Sequence, residues 1–192
     1  MNNETSTSNG DDTAIIDNNK PAASNYDEST ARKDEVYQLL DRLGIEYKKI
    51  DHPPMFTQAD HDDERDHIDT VIFKNLFLRN KDKSRYYLLS LPLTKRADLV
   101  KLAQILGETR LSFGDEDALM QKLNIKHGSV SFLNVVGARG TDATILIDDA
   151  AFDCETIGIH PNDNTATVII KPQDIEKILN ACGVEYRILT LK

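Results

Sequence analysis

Lys74 and His160 are the residues of this chain whose types and positions best suit chemistry. Lys74 is followed by Asn75 at the head of an apolar, strand-like run, and His160 opens a polar segment just before Val168-Ile169-Ile170. Polar groups crowded at the start of buried strands cost stability unless they are paired, so packing alone does not explain them. We therefore expect a polar pocket in an otherwise apolar core, with a cation, a carboxamide and an imidazole on its walls.

Other histidines are weaker candidates for chemistry. His61 and His67 are six positions apart in an acidic stretch, which is poor helical register for two metal ligands on one face, so a solvated surface is favoured. His127 precedes a glycine and is expected in a loop. His52 precedes two prolines and is expected to be structural, with lining of the pocket as the alternative.

The two cysteines and the common catalytic patterns give no second candidate. Acidic neighbours of Cys154 would raise its thiol pKa and weaken it as a nucleophile, so Cys154 and Cys182 are expected to be reduced, partly buried thiols. The sequence contains no GxSxG elbow, HExxH pair, P-loop or GxGxxG run. We expect neither a metal nor a cofactor.

Composition indicates one acidic globular domain. The chain has 192 residues, 40% of them hydrophobic, and a mean hydropathy of −0.44, which is enough for one compact core. It has no apolar run long enough to cross a membrane and no secretory signal pattern, so no membrane partner and a cytoplasmic location are expected. The net charge of −9 argues against non-specific binding of duplex nucleic acid but not against a few contacts with a nucleic-acid end.

Residues 1–30 differ from the rest of the chain. They contain six acidic residues and one lysine, with almost no apolar periodicity, so they cannot bury enough surface to offset chain entropy. We predict a disordered acidic tail over 1–30 and a single folded domain over 31–192.

Periodicity and turn residues predict the elements that must position the candidate residues. Strands are predicted at 45–50, 129–136, 144–147, 165–170 and 184–191, with a hairpin of 70–79 and 85–91, and a short helix or exposed loop at 57–69. Helices are predicted at 31–43, after Thr94, after Asp115, and from Pro172 to Cys182, with Gly44, Gly107 and Gly183 as caps. This mixture predicts an α/β fold with a curved, partly barrel-like mixed sheet and peripheral helices.

The two ends of the predicted domain are similar to each other. Leu39–Lys48 and Ile178–Arg187 each contain the end of a helix, a glycine and the start of a strand. The similarity has two explanations, chance or a shared structural role.

Four short segments occur in an order that resembles a known family. They are His52–Thr57, Lys74–Leu78, Gly128–Ser131 and His160–Val168. Together they are similar to the free-standing relatives of the prolyl-tRNA synthetase editing domain, the YbaK-like or ProX/PrdX-type deacylases. The resemblance covers residues 33–190.

The resemblance implies hydrolysis of a mischarged aminoacyl-tRNA, most typically Ala-tRNA(Pro). It also implies that Lys74 takes the role of the essential lysine, that Asn75 contacts the substrate and that His160 lines the aminoacyl pocket. On the same resemblance, the loop that begins with Gly128 and Ser129 would supply backbone N–H groups and limit side-chain size. The implied partners are the acceptor end of tRNA(Pro) and prolyl-tRNA synthetase.

One residue departs from the pattern of these relatives, which continue the glycine loop to a proline where this chain has Phe132. The amino-acid preference is therefore left open. Two alternatives to a free-standing enzyme also remain: a non-catalytic module that senses an amino acid or tRNA, and a subunit that edits only together with a synthetase.

Overall fold

A computed structural model describes residues 23–55, 68–123, 125, 128–136 and 142–191. The helices are α1 (Ala23–Arg42), α2 (Leu99–Leu106), α3 (Glu116–Leu123) and α4 (Asp174–Cys182), with 3₁₀ turns at Phe132–Val135 and Asp149–Asp153. The strands are β1 (Lys48–Asp51), β2 (Val71–Asn80), β3 (Tyr86–Pro92), β4 (Leu111–Phe113), β5 (Ala143–Asp148), β6 (Ile157–Ile159), β7 (Ala166–Ile170) and β8 (Tyr186–Leu189). No helix in these ranges is long and apolar enough to span a membrane.

The strands form one mixed sheet in the order β1-β7-β6-β2-β3-β5-β8, with β4 beside β2. β2 pairs with β6 in parallel and with β3 antiparallel, and β5 is parallel to both of its neighbours, β3 and β8. The predicted hairpin is confirmed as β2–β3. The mixed α/β fold class is confirmed as well.

The edge of β2 that faces away from β3 is shared by two short strands. β6 pairs with Val71 and Ile72, and β4 pairs with the other end of β2, at Leu78–Asn80. Within the described chain, no strand pairs with residues 73–76 of β2 along this edge. The two short strands therefore leave a notch in the sheet, and Lys74 and Asn75 lie in it.

Alternation along β2 divides its side chains between two packing layers. Phe73 and Phe77 belong to the larger core cluster, which also holds most of the buried residues of α1, α3 and α4. Leu76 and Leu78 belong to a second cluster under α2. Because successive strand residues point to opposite faces, Asn75 lies on the Phe73 side and Lys74 on the other.

Gly158 allows β6 to approach β2 closely. A Cβ atom at this position would lie 2.6 Å from Cδ1 of Ile72 and 2.9 Å from Cγ2 of Thr70. A side chain here would force the side chains of Ile72 and Thr70 to shift. The contact matters for the site because His160 follows β6 directly.

The similar ends of the domain have the same geometry. Gly44 and Gly183 have φ values of 60° and 65°, and each donates its N–H to the carbonyl three residues before it, while the next residue bonds five residues back. This is the Schellman helix end, in which glycine adopts the left-handed conformation without strain. The strands that follow, β1 and β8, lie at the two ends of the strand order.

Several predicted elements differ from the structure. The segment 129–136 is a loop and a 3₁₀ turn instead of a strand, because Ser131 and Asn134 form a capping box that satisfies the backbone locally. α2 begins at Leu99, because Asp98 accepts hydrogen bonds from the N–H groups of Val100 and Lys101, and Thr94 is not its cap.

Further differences concern short or polar segments. β4 and β6 were not predicted, since three residues are too few to show a period. α1 begins at Ala23, so its first turns lie inside the predicted tail; its apolar second half, with Val36, Leu39 and Leu40 in the core, holds the helix. Two regions lie outside the described residues: 1–22, and the part of the predicted helix or loop at 57–69 that ends at residue 67.

Candidate active site

Lys74 lies in the fourth position of β2, beside the notch, and its ammonium faces the turn after β3. Lys74 Nζ donates a hydrogen bond of 2.8 Å to the carbonyl oxygen of Leu93. Burial, and next the nearby cation of Arg96, hold the pKa of Lys74 below its usual value. An ammonium has three N–H donors, and the bond to Leu93 uses one of them.

The turn that presents Leu93 is fixed by a buried ion pair. Lys95 Nζ lies 2.7 Å from Oδ2 of Asp148, whose side chain is fully buried at the end of β5. The same carboxylate accepts a hydrogen bond from the N–H of Ala150. A buried charge is stable only when it is paired and hydrogen-bonded, so this pair ties the Leu93 turn to the sheet.

Asn75 is oriented by the main chain of the 3₁₀ turn. Its Oδ1 accepts a hydrogen bond of 3.2 Å from the N–H of Phe132. Across the β2–β3 ladder, Asn75 is opposite Ser90, which is fully buried and whose Oγ has no hydrogen-bond partner among the described residues. The carboxamide of Asn75 is therefore held by the 3₁₀ turn at the notch.

The loop from Gly128 to Ser131 leads into this turn. Gly128 has φ 94°, a conformation that favours glycine. Ser131 Oγ accepts from the N–H of Leu133, and the N–H of Ser131 donates to Oδ1 of Asn134 at 2.7 Å. The carbonyl of Ser129 accepts a longer bond of 3.4 Å from Nδ2 of Asn134. Asn134 thus closes the loop on itself.

Asn134 also connects this loop to the segment that carries His160. Its Nδ2 donates a buried hydrogen bond of 2.9 Å to Oδ1 of Asn162. Asn162 has φ 62°, and its N–H returns to the carbonyl of His160 at 2.9 Å. A continuous series of short contacts therefore runs from Asn75 through the 3₁₀ turn and Asn134 to the His160 segment.

His160 packs against His52, with ring centroids 5.8 Å apart. Both ring nitrogens of His52 have protein partners, the carbonyl of Pro53 at Nδ1 and Thr167 Oγ1 at Nε2. Because a carbonyl only accepts, Nδ1 of His52 carries the proton, and in the neutral ring Nε2 accepts from Thr167. His52 is thus a structural support beside His160.

The structure links most of the predicted site residues by hydrogen bonds and gives Lys74 a separate contact. Asn75, the Gly128–Ser129 loop and His160 are linked by hydrogen bonds through the 3₁₀ turn. Lys74 reaches the carbonyl of Leu93 instead. His61, His67 and His127 lie outside the described residues. Cys154 and Cys182 are free thiols, and burial raises the pKa of both.

Sequence reasoning missed Asn134, the Leu93 carbonyl and the Lys95–Asp148 pair. A signal for Asn134 was present, because Ser131-Phe132-Leu133-Asn134 has the spacing of a capping box with Asn in place of Glu or Gln. The other two depend on distant segments meeting, and no local pattern marks them. Asn134 is the more important omission, since it connects the two loops.

The family model of the aminoacyl-tRNA editing domain matches residues 52–178 of the chain, more than half of its length. The chain belongs to the aminoacyl-tRNA editing domain family. This editing domain contains all the predicted site residues within the matched range, and the family activity is deacylation of mischarged tRNA.

Individual relatives agree with the family match. The editing domain is 32% identical over 160 residues to the prolyl-tRNA editing protein ProX of Acetoanaerobium sticklandii, covering 83% of this chain and 97% of that one. It is 30% identical to the prolyl-tRNA synthetase associated domain-containing protein 1 of Mus musculus, covering 81% and 94%. A solved structure of a candidate trans-editing enzyme for prolyl tRNA synthetase has the same fold, with a TM-score of 0.63, 18% identity and coverage of 84% and 96%.

A cavity elsewhere in the editing domain is not lined by the predicted site residues. It has a volume of about 330 Å³ and lies between α2 and β4, lined by residues that include Ala103, Glu108 and Arg110. Glu108 there accepts a hydrogen bond from Tyr87 and forms an ion pair with Arg85. Burial, with the Glu108 contact, raises the pKa of Tyr87 to about 12, which is the behaviour of a structural hydrogen bond rather than a reactive phenol.

Proposed function

We propose that this protein hydrolyses Ala-tRNA(Pro), using Lys74, Asn75, His160 and the loop of Gly128 and Ser129. The observation that supports this most is the hydrogen-bonded series from Asn75 through Asn134 to Asn162, which joins the family segments around the notch in the sheet. Segments far apart in sequence are held together there by buried and partly buried polar contacts, as a preformed binding site requires.

The proposed reaction needs little from the protein because an aminoacyl ester is already activated. Water attacks the ester carbonyl carbon, and the bond from that carbon to the ribose oxygen breaks. The ribose hydroxyl recovers a proton, and the amino acid leaves as a free acid. The site has to hold the ester, orient the water and stabilise the developing oxyanion.

Lys74 supplies the positive charge in this proposal. One of its N–H donors is used by the Leu93 carbonyl, which fixes the direction of the ammonium and leaves donors for the substrate. A terminal phosphate, a ribose hydroxyl or the oxyanion would each accept from it. Lys74 is essential in this reaction. Separate measurements of tRNA affinity and of the hydrolysis rate for Lys74→Ala distinguish binding of the phosphate or ribose from stabilisation of the oxyanion.

The other residues would bind the aminoacyl end. Asn75 would donate its amide N–H groups to the ester, and His160 would line the amino-acid pocket. The positive φ of Gly128 would bring the main chain at Ser129 close to the substrate. This would limit the space for the side chain of the bound amino acid. The side chain of Phe132 is fully buried with the core cluster, so it would shape this pocket from behind rather than fill it.

Selection against error explains why such a site is useful. A proline pocket rejects smaller alanine only weakly, because each missing methylene is worth about 1–3 kcal/mol. A second site that admits alanine but excludes proline removes the error by hydrolysis. We also propose that the acceptor end of tRNA(Pro) is the nucleic-acid partner, that prolyl-tRNA synthetase is its functional partner, and that the protein acts in the cytoplasm.

Deacylation of purified aminoacyl-tRNA tests the proposal. Wild-type protein should release alanine from Ala-tRNA(Pro) and leave Pro-tRNA(Pro) intact, while Lys74→Ala should be at least about 100-fold slower. Lys101→Ala, which removes an exposed lysine of α2, is the matched control for lost charge and should behave as wild type. Binding of tRNA without hydrolysis would favour the sensing module, and hydrolysis only after addition of the synthetase would favour the dependent subunit.

A further inference from the structure

The hydrogen bond between Phe132 and Asn75 fixes more than the position of Asn75. A main-chain N–H only donates, so its partner at 3.2 Å must be the carboxamide oxygen. The amide group of Asn75 is planar, and holding its oxygen towards the turn directs its NH₂ group away from the turn. Rotation of the carboxamide by half a turn would place NH₂ against the N–H of Phe132 and is disfavoured.

We propose that Phe132 is a positioning residue, whose main-chain N–H holds the Asn75 carboxamide with its NH₂ group directed at the ester. This inference rests on the proposed function of Asn75 as a donor to the substrate. It assigns a role to the position where the chain departs from the Gly-x-x-x-Pro pattern. Proline has no N–H, so a proline at 132 could not make this bond.

The backbone at this position makes a selective test possible. Phe132 is the first residue of the 3₁₀ turn, and Ser131 before it is extended, with φ −147° and ψ 150°. Proline is favoured at the first position of a helical turn, and the residue before a proline prefers this extended conformation. Phe132→Pro therefore removes the N–H while keeping the local fold of the turn.

Phe132→Pro also removes a fully buried phenyl ring, so a matched variant is required. Phe132→Ala removes the ring and keeps the N–H. Any effect of lost packing should therefore appear in both variants. The two should differ only at the main-chain nitrogen, where proline presents its Cδ to Oδ1 of Asn75 in place of a donor. Thermal unfolding identifies a temperature at which both variants are folded.

The test is a double-mutant cycle in single-turnover hydrolysis of Ala-tRNA(Pro). With Asn75 present, Phe132→Pro should be about ten-fold slower than Phe132→Ala, with similar affinity for the tRNA. With Asn75→Ala, the two variants at position 132 should hydrolyse at the same rate, because the acceptor is gone. Equal rates for the two variants in the presence of Asn75, or the same ten-fold difference in its absence, would overturn the proposal.

A second readout does not depend on activity. Hydrogen exchange of the Phe132 amide in the full chain should be slow in the wild type and faster in Asn75→Ala, with Ser131, which donates to Asn134, as the internal reference. Unchanged exchange at Phe132 would show that Asn75 is not its acceptor and would overturn the inference. If the wild type hydrolyses no ester, the proposed function fails, and the exchange result still decides whether Phe132 holds Asn75. The same measurement serves if Phe132→Pro does not fold.

Discussion

The carboxamides of Asn134 and Asn162 meet in a buried hydrogen bond of 2.9 Å, which connects the loop after Gly128 to the segment that carries His160. Both side chains are at most 3% exposed. This hydrogen bond links the side chains of the two segments directly. It turns two loops into one wall of the candidate site.

Asn134→Ala should therefore affect both stability and hydrolysis. It leaves the N–H of Ser131 and Oδ1 of Asn162 without their partner, and each buried unsatisfied group costs about 1–3 kcal/mol. Deacylation should slow by about ten-fold or more as the two loops separate. Denaturant unfolding and single-turnover hydrolysis measure the two effects. Tyr87→Phe, which removes a partly buried hydrogen bond to Glu108 away from the notch, should lower stability without changing the rate. An equal loss of rate in both variants would mean that the loss of stability alone explains the slower hydrolysis.

Arg96→Gln should raise the pKa of Lys74. The Arg96 cation is the second cause of the lowered pKa, after burial, so its removal makes the ammonium easier to keep protonated. Titration of the Lys74 side chain by NMR, with its signal assigned through Lys74→Met, measures the change. Arg96→Lys keeps the charge and is the control. A pKa that stays the same in Arg96→Gln would show that burial alone lowers it.

The lowered pKa of Lys74 also predicts how the stability of the folded protein changes with pH. Because the folded protein holds this proton less tightly than the unfolded chain, the charged lysine costs stability at neutral pH, and the cost disappears as the pH rises through the folded and then the unfolded pKa. Lys74→Met should accordingly remove part of the rise in stability on the alkaline side. Unfolding of both proteins across that range tests the sign, and a steeper rise in the variant would contradict it.

Ser90→Ala should leave the protein equally stable or make it more stable. Ser90 is fully buried and its Oγ has no partner among the described residues, so the hydroxyl is a desolvated group without compensation. Chemical denaturation of the variant measures the change. A loss of more than about 1 kcal/mol would show that the hydroxyl is satisfied in solution, for example by an ordered water.

Ser29→Ala should weaken the attachment of α1 to the loop before β7 in a pH-dependent way. Ser29 donates a hydrogen bond of 2.7 Å to Oδ2 of Asp163. Burial raises the pKa of Asp163, but hydrogen bonds from Thr165 and Ser29 outweigh it and lower the pKa overall. The wild-type bond therefore adds stability at neutral pH that is lost as the pH falls through the lowered Asp163 pKa.

The expected loss in Ser29→Ala is less than about 1 kcal/mol at neutral pH, since solvent screens this partly exposed contact. The difference from wild type should shrink in acid. Deletion of residues 1–22 is the matched control, because it keeps Ser29, and it should leave hydrolysis within a few-fold of wild type. A difference that grows in acid would contradict the assignment of Asp163 as the acceptor.

Much of the architecture could be predicted because it depends on local patterns. The β2–β3 hairpin, α3 after Asp115 and the two Schellman ends at Gly44 and Gly183 each follow from a few adjacent residues whose conformational preferences agree. The order of the family segments identified the family in the same way. Predicting these features does not require knowing which strands become neighbours in the sheet.

The sequence by itself determined the residue types of the candidate site, Lys74, Asn75 and His160. Tertiary structure alone decided how they are held. The notch in β2 exists because β6 and β4 pair with different parts of one edge, and Phe132 and Asn134 act through contacts with segments far away in the chain. Strand neighbours and buried hydrogen bonds between distant loops depend on long-range packing, which no local period records.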